Sequence, residues 1–247
     1  MLVIDGIGEF NSTWLGLGQG DKLTEIEAVG YPHSLGFVWE RMSEFLGFDV
    51  YSGPGKVMGY ACLTEPIGEL TGTDFLPRMR TIFHEESGGT FFVDNQAFRF
   101  RTDGFSGLEP LFGPRRTSVV DRYKGASVAA ALQVVTQDVM VHLAKRLYAH
   151  INASRKEPVT DLCLAGGVAL NCVANYEIAA RTPFKRIWVQ PMANDAGTAL
   201  GAAAQVHFQH GGKARPRMAH AFLGSGIQPR RNAGSPQGPQ LGFLEPG

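Results

Sequence analysis

An α/β fold with a mixed sheet flanked by helices is what this sequence predicts, on three observations. From Ala126 onward helix-like and strand-like segments alternate: "ASVAAALQVVTQDVMVHLAKRLYAHI", then "DLCLA", "VALNCVANYEIAAR", "RIWVQP" and "AGTALGAAAQVHF". Strands that alternate with helices through short connections pack as parallel strands covered by helices. Before that region, the first thirty residues hold β-type segments separated by turn residues. Glycines stand directly after three of the strands, at Gly6, Gly166-Gly167 and Gly197. In an α/β sheet the carboxyl ends of strands are where ligands bind.

Taken in order, "MLVIDG" reads as a strand running into a glycine turn, and "STWLGLGQGDKLTEIEAVG" as a hairpin turning at Gln19-Gly20-Asp21. Ser34 caps a helix whose apolar residues Leu35, Val38, Met42, Phe45 and Leu46 follow the 3.6-residue period, with Gly47 ending it. "SGPGKVMGYA" is read as a glycine-rich turn entering a short helix. Residues 64–124 show no sustained periodicity beyond a strand at "TFFVDN" and a loop at "FGPRR". The stretch from Ala126 is rich in good helix formers and amphipathic. From Gln228 the chain is dense in Pro, Gly, Gln and Arg without periodicity, which predicts a disordered tail. Residues 1–224 are therefore expected to form one domain and 225–247 the tail.

Composition narrows the function classes. With 23 basic and 23 acidic residues among 247, no global field favours nucleic acid or an anionic lipid surface. No membrane span is expected, and "MLVIDGIGEF" reaches Asp5 too early for a signal peptide. The three cysteines, Cys62, Cys163 and Cys172, lack metal-site spacing and read as buried thiols of a reducing compartment, so the cytoplasm is the expected location.

The glycine turns suggest a chemistry. At a strand–turn–helix junction the free N–H groups of the first helical turn and the helix dipole favour an anion. A glycine there removes the Cβ that would hold a phosphate or nucleoside off the backbone. Gly166 and Gly167 can do this after "DLCLA", and "DGIGE" (Asp5, Gly6, Gly8) after the first strand, with Asp5 placed to hold a metal or its water shell. "NDAGTALG", with Asp195 and Gly197, repeats the arrangement after "RIWVQP". Three such turns on one sheet edge can converge on one nucleotide.

The segments "DGIGEF", "YPHSLGFVWE", "FLGF", "GKVMGYA", "FGPRR", "LCLAGGVALNCVAN" and "VQPMANDAGTALGAA" resemble the O-carbamoyltransferases of the nodulation and antibiotic-tailoring type, from about Leu2 to about Gly224. The resemblance implies a Kae1-like domain of the actin, sugar-kinase and Hsp70 superfold (ribonuclease H-like), here its second half. It implies that ATP and carbamoyl phosphate are used to make carbamoyl adenylate, whose carbamoyl group passes to a hydroxyl of a sugar or natural product. Carried across by motif, Asp5, Gly6 and Gly8 belong to a phosphate-binding loop, Gly166, Gly167 and Asn171 border the adenosine, and Asp195 matches an aspartate ligating iron or another divalent metal. His33 and Lys56 match recurrent positions. His33 is a candidate base for the acceptor hydroxyl, or a brace at a helix start. Lys56 is a phosphate partner, or a solvated lysine.

The sequence also departs from that family. Its first half, with a His-x-x-x-His metal pair, and the YrdC-like domain have no counterpart here, and one aspartate is too few donors for a transition metal. His207 and His210 are the one close histidine pair and are read as a surface pair. The chain is accordingly expected to be a fragment without turnover of its own and with exposed sheet edges prone to association, its tail having the look of a shifted frame. A non-catalytic remnant, or another ATP-binding enzyme of the superfold such as a sugar kinase or the tRNA threonylcarbamoyl transferase, is the competing expectation.

Overall fold

A computed structural model of the chain describes residues 1–64, 73–100, 104–116 and 122–213, and the side chains of 122–124 are left aside. The predicted tail from Gln228 and the domain boundary at 224 lie outside the described residues.

Three antiparallel strands come first: β1 (Leu2–Gly8), β2 (Asn11–Gln19) and β3 (Lys22–Gly30). The β2–β3 hairpin closes on Gly20-Asp21, with Gly20 at φ +66°. Two later strands, β6 (Asp161–Ala165) and β7 (Arg186–Val189), join parallel on the other side, giving the order β3-β2-β1-β6-β7. The first strand thus lies at the centre of the mixed sheet. Its alternation decides which face is buried: Leu2 pairs with Leu15 on one side and Leu164 on the other, and all three are at most 1% exposed.

Helices α1 (Leu35–Phe45), α2 (Gly53–Ala61), α6 (Arg122–Asn152) and α7 (Cys172–Arg181) pack with the sheet and one another around this face. Ser34 caps α1 as predicted, its Oγ accepting the Phe37 N–H at 3.1 Å. The α6 window that is long and apolar enough by composition to cross a bilayer, within Gly125–Asn152, is 78% buried inside the fold. It is the central helix, with Val128, Leu132, Val139 and Leu143 fully buried. Two of its polar residues tie it to other elements: the Trp39 indole donates to Thr136 Oγ1 at 2.9 Å, and Arg146 pairs with Glu27 of β3 at 2.6 Å.

Four expectations change. "SGPGKV" is not a turn: Pro54 sits in the first turn of α2, where its missing N–H costs nothing, and the helix runs through Gly55 and Lys56. The helix expected from Val168 starts at Cys172, because Asn171 caps it and residues Gly167–Leu170 form a 3-10 turn. Residues 64–124, where they are described, hold short elements: α3 (Leu76–Ile82), the separate pair β4 (Phe83–Glu85) and β5 (Phe91–Val93), α4 (Asn95–Phe98) and α5 (Glu109–Phe112). They are held by ring contacts such as Phe45–Phe105 at 5.5 Å and Phe75–Phe112 at 6.0 Å. The cysteines are not buried thiols: Cys62 and Cys172 are exposed at helix ends and Cys163 is half-buried. The last described helix, α8 (Thr198–Gln209), is exposed along its length, and so are His207 and His210.

Candidate functional site

Because β1, β6 and β7 run parallel, the chain leaves all three at the same end of the sheet. β1 does not end in a turn at Gly6 as expected but continues to Gly8 with an irregularity after Ile4, where its pairing with β6 has stopped, and there Asp5 turns its Oδ1 to accept the Gly6 N–H at 2.8 Å. The start of α1 is fastened to this point: the Ser34 hydroxyl donates to the Gly6 carbonyl at 2.5 Å. Gly36 lies so close that a Cβ on it would come within 2.4 Å of the Gly6 nitrogen. After β6, the Gly166 N–H donates to the Ala193 carbonyl at 2.8 Å, tying the 3-10 turn to the segment that follows β7. Asn194 and Asp195 follow directly.

These segments enclose one side of a cavity of about 350 Å³. Of the residues singled out from the sequence, Asp5, Gly6, Gly167, Asn171 and Asp195 line it. Further lining comes from Trp39 and Glu40 of α1, Tyr51 of the connection into α2, and Pro54 and Met58 of α2 itself. The volume falls in the range of small-molecule sites, and the mixture of apolar wall and a few convergent polar groups is typical of them.

Five predicted residues sit elsewhere. Gly8 is in the β1–β2 hairpin, paired with Asn11. Gly166, at φ +87°, is required by the chain itself, since a Cβ would lie 2.1 Å from the Ile4 carbonyl oxygen. Gly197 packs in the same way on the Met192 carbonyl, at 2.2 Å. Lys56 is exposed on α2, its Nζ donating to Ser52 Oγ at 3.1 Å. His33 accepts the Val93 N–H on its Nδ1 at 3.2 Å and packs against Phe92, so it braces the entry to α1.

The cavity is acidic. Asp5, Glu40 and Asp195 face it, and among the described residues no lysine, arginine or histidine lines it. Burial, and then the charges of Asp5 and Asp195, push the Glu40 carboxyl above the ordinary carboxylate range. Sequence reasoning passed over Glu40. Its signal was the helical spacing from Gly36: the residue four positions on from a glycine that touches a strand end faces the same place.

A raised carboxyl affects stability with a definite sign. Where Glu40 is protonated in both folded and unfolded chains it costs nothing; as pH rises through the raised folded value, its ionisation in the fold is opposed and stability is lost. Glu40→Gln is therefore expected to stabilise the chain at pH 7, by no more than about 1 kcal/mol for this partly solvated group, and to lose that gain near pH 4. Urea midpoints at the two pH values check it; an equal shift at both removes the electrostatic explanation.

Among the described residues no three His, Cys, Asp or Glu side chains converge as a metal-binding group. The described residues do not by themselves make a protein-held metal centre.

Against this geometry, the sequence pattern of the family described as carbamoyltransferase N-terminus matches residues 1–204. The chain belongs to the carbamoyltransferase family. This carbamoyltransferase-family chain is 37% identical, over 93% of its length, to an uncharacterised protein of Synechocystis sp. and covers 36% of that relative. It is 31% identical over 91% of its length to the nodulation protein NolO of Bradyrhizobium diazoefficiens, covering 38% of it. A tRNA N6-adenosine threonylcarbamoyltransferase of Limosilactobacillus fermentum is 28% identical over 84% of the chain, which covers 58% of that protein. The chain thus spans little more than a third of the first two of these relatives.

Proposed function

We propose that this chain is the nucleotide-binding part of an O-carbamoyltransferase, holding ATP or carbamoyl adenylate in the cavity at the ends of β1, β6 and β7. The observation that carries the proposal is the convergence of Asp5, Gly6, Gly167, Asn171 and Asp195 on that one cavity. Support also comes from the topology: three antiparallel strands, then two parallel strands after helices, with the first strand central, suit one half of the actin, sugar-kinase and Hsp70 superfold.

The fit is testable on the backbone. At Gly167 a Cβ would point toward Asp5 Oδ1, 3.1 Å away, and at Gly6 toward Glu40 Oε1, 3.5 Å away. At Gly6 the Phe37 ring is nearer still, at 3.1 Å, so a side chain at either glycine would press on its neighbours at the cavity edge. The apolar wall of Trp39, Tyr51, Pro54 and Met58 suits a base and ribose, and the acidic floor of Asp5, Glu40 and Asp195 repels a bare phosphate. A nucleotide tail enters with its own divalent cation, for which Asp195 is the proposed outer oxygen donor. Carbamoyl adenylate supplies an activated carbonyl: the acceptor hydroxyl oxygen bonds to its carbon, AMP leaves, and the hydroxyl proton is released. Within that step this chain's part is to hold the nucleotide and orient its phosphate. His33 and Lys56 are given no catalytic role, since neither is among the residues that line the cavity. The acceptor, a sugar or natural-product hydroxyl, and carbamoyl phosphate are partners on the family's chemistry.

Calorimetric titration of the chain with Mg-ATP, and with ATP in EDTA, tests the proposal. Binding is expected with magnesium and should be lost in EDTA. Gly167→Val, whose side chain would press on Asp5 at the cavity edge, is expected to weaken Mg-ATP at least about tenfold while leaving the fold intact, because its nearest neighbour is a side chain and not backbone. Binding unchanged by Gly167→Val overturns the assignment of the cavity. The threonylcarbamoyltransferase relative supports a second reading, transfer of a threonylcarbamoyl group. Turnover with carbamoyl phosphate and a sugar acceptor in the full-length relative, and none with tRNA, decides between the two.

A further inference from the structure

Asn171 is tied to the central helix by a closed set of hydrogen bonds. Its Oδ1 accepts the Ala174 N–H at 3.0 Å, which caps α7, and also accepts Gln133 Nε2 at 3.1 Å. Its Nδ2 donates to Gln133 Oε1 at 2.9 Å. The two amides form a reciprocal pair, and both residues are buried, Gln133 at 6% exposure and Asn171 at 7%. Gln133 stands on α6 among alanines and valines of the core, where a lone amide would leave its polar atoms unsatisfied. It does not line the cavity; Asn171 does.

The pair fixes more than a contact. An amide has two N–H donors and a carbonyl with two lone pairs. Both lone pairs of Asn171 and one of its donors are in use, leaving one N–H. The Ala174 N–H also determines which way round the pair sits: rotating the Asn171 amide by half a turn would set donor against donor at Ala174. The spare N–H therefore has one orientation. The turn is held from its other side as well, Asn175 Nδ2 donating to the Ala169 carbonyl at 2.7 Å.

We propose that Gln133 is a positioning residue of the nucleotide pocket: through the paired amide it fixes Asn171, and with it the Gly167–Leu170 turn, in the geometry that receives an adenine nucleotide. The proposal rests on the nucleotide-binding assignment above. Gln133 touches no ligand itself and acts through Asn171.

A double-mutant cycle on this chain tests it, with the Kd of Mg-ATP as readout and circular dichroism confirming that each variant is folded at the temperature used. Gln133→Leu keeps the bulk and removes both bonds; it is expected to raise Kd about tenfold. In an Asn171→Ala background the same substitution is expected to change Kd less than about twofold, because the residue it acts through is gone. A purely structural glutamine would instead lower the melting temperature with Kd unmoved, or weaken binding equally in both backgrounds, and either result overturns the proposal. Should Gln133→Leu not fold, Gln133→Glu, which keeps the acceptor and loses the donor, takes its place with the same expectations. If the unmodified chain binds no nucleotide, the cavity assignment and this proposal fall together. If Gly167→Val weakens binding and Gln133→Leu does not, the assignment stands and the positioning role is lost.

Discussion

Gly166→Ala is expected to cost the chain about 3 to 5 kcal/mol of stability, enough to leave much of it unfolded at room temperature. Two independent penalties add. The backbone at this residue has φ +87° and ψ 158°, a region that only glycine enters without strain. A Cβ built there also meets the Ile4 carbonyl oxygen at 2.1 Å and its carbon at 2.5 Å. Ile4 is on the central strand, so the obstacle is backbone of the sheet core and cannot rotate aside as a side chain would. Relief would require β6 to separate from β1 or the Gly166–Ala193 bond to break, and either loosens the edge that borders the cavity. The neighbouring Gly167→Ala is the control: its Cβ meets only the Asp5 side chain at 3.1 Å and Asn194 Cβ at 4.0 Å. It should cost less than about 1 kcal/mol. Urea denaturation followed by circular dichroism compares the pair, and equal midpoints for both would mean that the sheet edge yields where the geometry says it cannot.

That contrast also marks what the sequence could and could not disclose. The alternating strands and helices from Ala126, and the hairpin at Gly20, were legible because their information is local: period, cap and turn residues. Strand ends are set by the same local signals, so Asp5, Gly6, Gly167, Asn171 and Asp195 could be placed together before any coordinates. A glycine, however, reports only that no Cβ fits, not whether chain or ligand occupies the space. Gly166 and Gly197 answer to carbonyls of the chain, and nothing local separates them from Gly6 and Gly167. Lys56 was misplaced for a related reason, since glycines usually interrupt a helix, yet Pro54 started one here. Glu40 and Gln133 were missed because their roles arise from the faces that two helices turn toward a distant strand end. Residues 64–124 were illegible because short elements there depend on phenylalanine contacts remote in sequence, as between Phe45 and Phe112.

Gly36→Ala is expected to damage both the fold and the cavity, lowering stability by about 2 to 4 kcal/mol. Its Cβ would come within 2.4 Å of the Gly6 nitrogen, 2.6 Å of the Asp5 carbonyl carbon and 2.7 Å of its oxygen. Unlike Gly166, Gly36 lies on a helix with ordinary dihedrals, so the cost is close approach alone and α1 can retreat to escape it. That retreat has consequences in order. It stretches the Ser34–Gly6 bond of 2.5 Å, which anchors the helix start, and then carries Trp39 and Glu40 away from the cavity wall they form with Gly167 and Asp195. The Trp39–Thr136 bond of 2.9 Å resists the movement on the far side, so the strain is divided between the helix and the end of β1. Thermal unfolding should therefore show a lowered midpoint, and Mg-ATP should bind more than about tenfold more weakly even at temperatures where the variant is folded. A variant destabilised as stated but binding Mg-ATP like the unmodified chain would show that α1 does not form a wall of the nucleotide site, and that Glu40 and Trp39 face an unrelated cleft.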